Sequence, residues 1–283
     1  MYYSEELKNK YARQFSELSF SDNFMFSRVM ENIDIAKDVI RIILGDEIAE
    51  ILSVESEKVI KVLPGKHGVR YDIRVKTKTG ECIYNIEMQQ KDERNTPKRS
   101  RYYQATSDSS YLRQGLNYNM LPIHYKVFIC RFDPFGLNET LYRFYNYDPE
   151  HRLALDDGTY KLFLYTKGNS TPNKEMNNLM RYIDDGTVSD DTTAKIDNEV
   201  RVIRSSSDDF IEFIDTLMLR SEAEEKGKAE GREEGRAEGE ANKEAEFIRK
   251  FHQKGKTVDQ ISNELDIPID RIISVIGTQE LKK

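Results

Sequence analysis

The 283-residue sequence predicts a mixed α/β domain, a charged glycine-spaced stretch and a small helical module. Two observations predict it. Over residues 1–218, apolar runs of strand length alternate with longer stretches of helical periodicity, and beyond them the composition changes abruptly. No run approaches the roughly 18–20 apolar residues of a membrane-spanning helix, and mean hydropathy is −0.70. A protein free of the membrane is therefore expected. The first residues lack the apolar core of a secretory signal, and the two cysteines, Cys82 and Cys130, sit in apolar runs, so the expected compartment is the reducing cytoplasm.

Each element has its own signal. Ser21 and Asp22 can cap a helix that continues through FMFSRVMENIDIAKDVIRIIL with a break near Asn32. KVIKVL (58–63) reads as a strand stopped by Pro64 and Gly65, and VRYDIRV (69–75) as a second. After a turn containing Thr79 and Gly80 comes CIYNIEMQ (82–89). Thr96 and Pro97 open a helix to about Arg113. YKVFICRF (125–132) has the look of a buried strand. Further strand runs at 141–147 and 160–165, and helices at 173–184 and 196–220, complete the first region. The leading order is αβββαβ.

Residues 219–246 cannot bury a core. Gly227, Gly231, Gly235 and Gly239 recur every four residues among charges, which suits a helix-prone linker, weakened by about 1 kcal/mol per Gly relative to Ala. A flexible linker is the alternative. Residues 247–283 regain apolar periodicity through Ile248, Phe251, Ile261, Leu265, Ile272 and Ile276. Gly255 can end one helix, Thr257 and Gln260 can form a capping box, and Pro268 suits a helix start. The pattern resembles a helix-turn-helix, but it carries few cations, so packing or partner contact is the favoured role.

Net charge is −7, yet residues 57–131 hold 15 Lys and Arg against 7 Asp and Glu. This basic window in an acidic chain suits a polyanionic partner, with solvated basic faces as the plainer reading. Within it, a two-residue turn at Thr79–Gly80 would place Asp72 opposite Glu87. Directly opposed residues share a sheet face about 5 Å apart, so two carboxylates would converge. Period-2 alternation adds Asn85 and Gln89 to that face and sends Tyr84, Ile86 and Met88 to the other. A divalent cation would relieve the repulsion, since Mg²⁺ takes hard oxygen ligands. The alternative is a solvent-exposed hairpin face whose carboxylates are satisfied by Arg70 and Arg74. Lys98, Arg99 and Arg101 lie where a helix start favours phosphate, and Tyr103 is the i+4 neighbour of Arg99, making these four candidate DNA contacts. Asp22 is a candidate further carboxylate, with capping as its plainer role, and Glu31 a weaker one.

Five segments in order, SDNFMFSRVM (21–30), HGVRYDIRV (67–75), YNIEMQ (84–89), PKRSRYYQ (97–104) and VFICRFDPFG (127–136), resemble the PD-(D/E)XK nuclease superfamily. Within it they look most like the Rpn-type recombination-promoting nucleases and transposase-like proteins, and the glycine-glutamate repeat is similar to tails there. The resemblance implies a restriction-endonuclease-like αβββαβ core with a mixed central sheet flanked by helices. It further implies Asp72 and Glu87 as ligands of Mg²⁺, with Mn²⁺ able to substitute. The implied activity is DNA endonuclease activity in recombination, transposition or defence against foreign DNA. Gln89 occupies the lysine position. A neutral amide orients water but supplies no positive charge; Lys91, Lys98 or Arg99 could restore it. The competing reading is a catalytically degenerate DNA-binding or assembly module. Cutting both strands would call for a homodimer or higher oligomer. Histidines and cysteines lack zinc spacing, and neither a GxxxxGK phosphate loop nor a GxSxG element is present.

Overall fold

The computed structural model describes residues 3–45, 51–60, 69–77 and 82–277. The chain divides into two units between Phe213 and Ile214. In the first, helices α1 (Glu5–Ser16), α2 (Asn23–Met30) and α3 (Ile33–Leu44) precede strands β1 (Ile51–Ile60), β2 (Val69–Thr77) and β3 (Cys82–Gln89). Helix α4 (Thr96–Tyr111) leads to β4 (Ile123–Cys130), followed by β5 (Leu141–Phe144), β6 (Tyr147–Asp148), β7 (Leu153–Ala154) and β8 (Thr159–Tyr165). Helices α5 (Lys174–Asp185) and α6 (Asp191–Ser205) follow. Helix α7 (Ser207–Gln253) contains the division between units, and α8 (Val258–Leu265) and α9 (Ile269–Ile276) lie in the second.

Six strands form a mixed sheet in the order β1-β2-β3-β4-β8-β5. β1, β2 and β3 are antiparallel neighbours; β3, β4 and β8 run parallel; β5 closes the edge antiparallel to β8. A parallel step from β3 to β4 needs a crossover, which α4 supplies. Ile73 pairs with Ile86 and Arg74 with Asn85, the register expected for β2 and β3. The turn that was expected to set it lies outside the described residues.

The two sheet faces differ sharply. Ile73, Val75, Ile86, Met88, Val127, Ile129, Leu162 and Leu164 are buried on one, and α2 and α3 pack on β1 and β2. On the other, Asp72, Arg74, Asn85, Glu87, His124 and Lys126 are buried as well. This corrects the reading of a solvent-exposed polar hairpin face: α4 contacts β1 and β4 and shields it.

Several boundaries move. β1 begins at Ile51, ahead of the expected 58, because Ser53, Glu55 and Ser56 interrupt the apolar signal; 61–63 lie outside the described residues. α1 carried no clear sequence signal. The run 141–147 splits between β5 and β6. The helix expected at 196–220 is two helices separated by Ser206, whose backbone is extended, and α6 starts earlier through a capping box of Asp190 and Thr193. Residues 219–246 lie within the continuous α7. In the second unit Ile248, Ile261, Ile272 and Ile276 form a small core, Thr257 and Gln260 make their capping box, and Gly255 takes φ +84°.

Candidate active site

The site is built where the β2–β3 ladder ends. The last paired step is Ile73 with Ile86; the next step of that register is Asp72 with Glu87. There the Met88 backbone N–H donates to Asp72 Oδ2 at 2.9 Å, so the carboxylate itself joins the two strands. Asp72 is 7% and Glu87 3% exposed. Both line a cleft of about 350 Å³ with Gln89, Lys91, Arg99 and Tyr103.

Pro97 in the first turn of α4 starts the helix beside the end of β3, and the i, i+4 spacing turns Arg99 and Tyr103 together into the cleft. Arg99 Nη2 donates to Gln89 Oε1, and Nη1 lies 3.3 Å from Glu93 Oε2. The guanidinium also sits 5.9 Å from the Tyr103 ring centroid and 5.8 Å from that of Phe128. Burial, followed by the negative charges of Glu87 and Asp72, pushes the Tyr103 phenol up to about 12, with Arg99 pulling the other way. It remains a hydrogen-bond donor at neutral pH.

Other candidates are placed differently. Lys98 and Arg101 are exposed on α4 and do not line the cleft. Asp22 precedes α2 as its cap residue but makes no side-chain cap bond; its carboxylate instead accepts from Ser19 N at 2.7 Å and Ser19 Oγ at 3.0 Å. Its neighbour Asn23 lines the cleft, and Gln90 Nε2 ties the end of β3 to the Ser21 carbonyl. Glu31 pairs with Arg28.

Beneath the cleft lies a polar layer in which sequence reasoning missed Lys126, His124, Gln104 and Asp108. Lys126 is opposite Asn85 on β4, is 0% exposed, and its Nζ stands 5.3 Å from the Tyr103 ring centroid. Burial drags its ammonium well below the ordinary lysine range, against the opposing pull of Glu87 and then Asp108. Asn85 Nδ2 contacts His124 Nε2; on the far side of the ring, Gln104 Nε2 is 2.9 Å and Asp108 Oδ1 3.4 Å from Nδ1. Arg74 is buried with an Nε that has no hydrogen-bond partner among the described residues. The available signal was a lysine and a histidine two apart at the start of an otherwise apolar strand.

Among the described residues no group of three or more His, Cys, Asp or Glu is gathered for a metal. The donor chemistry that does converge, two carboxylates at a polar cleft, fits a hard divalent cation completed by water and substrate oxygens. No described helix is long and apolar enough to cross a membrane.

No curated protein and no solved structure matches the chain. A family model described as PD-(D/E)XK nuclease family transposase matches residues 20–155, a span that holds α2 through β7 and every residue of the cleft. The mixed sheet flanked by helices agrees with that fold. The match supports a nuclease- or transposase-like function; nucleases of that family in general act on DNA and use divalent metals. By fold, by the order of its elements and by this match, residues 20–155 are similar to the PD-(D/E)XK nuclease family transposases.

Proposed function

We propose that the protein is a Mg²⁺-dependent DNA endonuclease, Mn²⁺ being able to substitute, with Asp72 and Glu87 as the metal-holding pair. The observation that carries this reading is the arrival of both carboxylates, from adjacent strands, in one cleft bordered by Arg99 and Lys91. A divalent ion held there would polarise the phosphodiester and make water a stronger nucleophile. Gln89 commits its carboxamide oxygen to Arg99, which leaves its Nε2 to orient the attacking water. Tyr103, kept protonated, donates to a phosphate oxygen. Lys98 and Arg101, outside the cleft on the exposed side of α4, hold the DNA backbone farther along. Recombination, transposition or defence against foreign DNA in the cytoplasm, with a homodimer cutting both strands, is the setting that suits this chemistry.

Purified protein is expected to nick or cut DNA with Mg²⁺ or Mn²⁺ and to stop in EDTA; Asp72→Ala and Glu87→Ala should abolish cutting. Unchanged cleavage by either variant would reject the assignment. The competing reading, a degenerate DNA-binding or assembly module, is favoured by one residue, the neutral Gln89. It predicts salt-sensitive DNA binding with no metal binding by calorimetry.

A further inference from the structure

Resting on the nuclease reading, we propose that Arg99 is the cation that receives the scissile phosphate, that Gln89 is its positioning residue, and that Glu93 is a built-in stand-in for the phosphate which DNA displaces. Gln89 brings no charge to the lysine position, yet it is joined to one. Its Oε1 accepts from Arg99 Nη2, while the guanidinium lies against the rings of Tyr103 and Phe128 and its Nε has no hydrogen-bond partner among the described residues. Gln89, Tyr103 and Phe128 thus locate a cation beside the two carboxylates, as a lysine on β3 would.

Glu93 completes the arrangement. It lines the same cleft, and its Oε2 is 3.3 Å from Arg99 Nη1 and 3.3 Å from Asn95 Nδ2. Carboxylate and phosphate oxygens compete for the same guanidinium N–H groups. The Glu93 side chain is 62% exposed, and an exposed ion pair is weak and screened by salt, so a phosphate can replace it readily. Lys98 and Arg101 on the same helix have no ion pair among the described residues. In the cleft the arginine is occupied by an acid, and on the exposed side of α4 the cations stay open to the DNA backbone.

The test is a double-mutant cycle read by fluorescence anisotropy of a labelled DNA duplex in EDTA, where no cutting occurs. Glu93→Gln should bind up to about fivefold tighter than wild type. Arg99→Gln should bind more weakly, with the salt slope reduced by about one, and Arg99→Lys should keep that slope. In the Arg99→Gln background, Glu93→Gln should bring no gain. Gln89→Ala, which removes the holder and leaves the charge, should keep the wild-type slope and slow cleavage in Mg²⁺. An equal gain from Glu93→Gln in both backgrounds, or wild-type binding by Arg99→Gln, overturns the proposal. Failure of wild-type protein to cut with Mg²⁺ or Mn²⁺ overturns the nuclease reading instead, a result separate from the metal-free cycle.

Discussion

Mild acid should loosen the polar layer under α4 through His124. This imidazole is 1% exposed, and burial lowers it from 6.5 to about 4; Asp108 pulls it up, but Lys126 and Arg74 add to the lowering. In the folded protein His124 is therefore neutral well below neutrality, while in the unfolded chain it takes a proton near 6.5. Between those values the unfolded state binds more protons, so stability falls as pH drops and the loss is complete near pH 4. A separation of about 2.5 pH units at 1.36 kcal/mol each amounts to about 3 kcal/mol. Asp108 acts in the same direction: burial raises its carboxyl, but hydrogen bonds with His124 and Gln104 outweigh that and hold it below its ordinary value. Its contribution is present above the unfolded value and fades as pH falls through the folded one. Urea midpoints from pH 7.5 to 4.5 should fall steeply for wild type and more gently for His124→Asn. Equal slopes, or an NMR titration of folded His124 near 6.5, would refute the reasoning.

Two further predictions concern the second unit. Ile261→Ala, at a wholly buried position in the four-isoleucine core, should cost about 2–5 kcal/mol and raise hydrogen exchange across α8 and α9 while leaving β3 and β4 protected. Loss of protection throughout the chain would show that this core is not a local one. A Cβ at Gly227, Gly231, Gly235 or Gly239 meets nothing within 4 Å; replacing all four by Ala should strengthen α7 by up to about 1 kcal/mol per site. Hydrogen exchange over 225–241 should slow, and unchanged exchange would contradict a purely local helix-propensity effect.

Much of this architecture was legible in the residues. Pro97 opens α4, the expected break near Asn32 is the cap of α3, β3 has its expected bounds, and the expected β2–β3 register, which sets Asp72 beside Glu87, is the one observed at Ile73–Ile86 and Arg74–Asn85. The rest depended on tertiary contact. Burial of the polar face comes from α4 crossing it, which no periodicity in β2 or β3 announces. Lys126 was concealed inside an apolar run, since a buried lysine is intelligible only once Glu87 and the Tyr103 ring are seen around it. Asn23 reaches the cleft while Asp22 turns to Ser19, a one-residue difference set by the loop before α2.

The central claim is that Asp72 and Glu87 together hold a divalent ion. Crystals grown with Mn²⁺ and recorded at the manganese edge should show an anomalous peak within coordination distance of both carboxylates. A peak elsewhere, or none, with the two side chains turned apart, would contradict it.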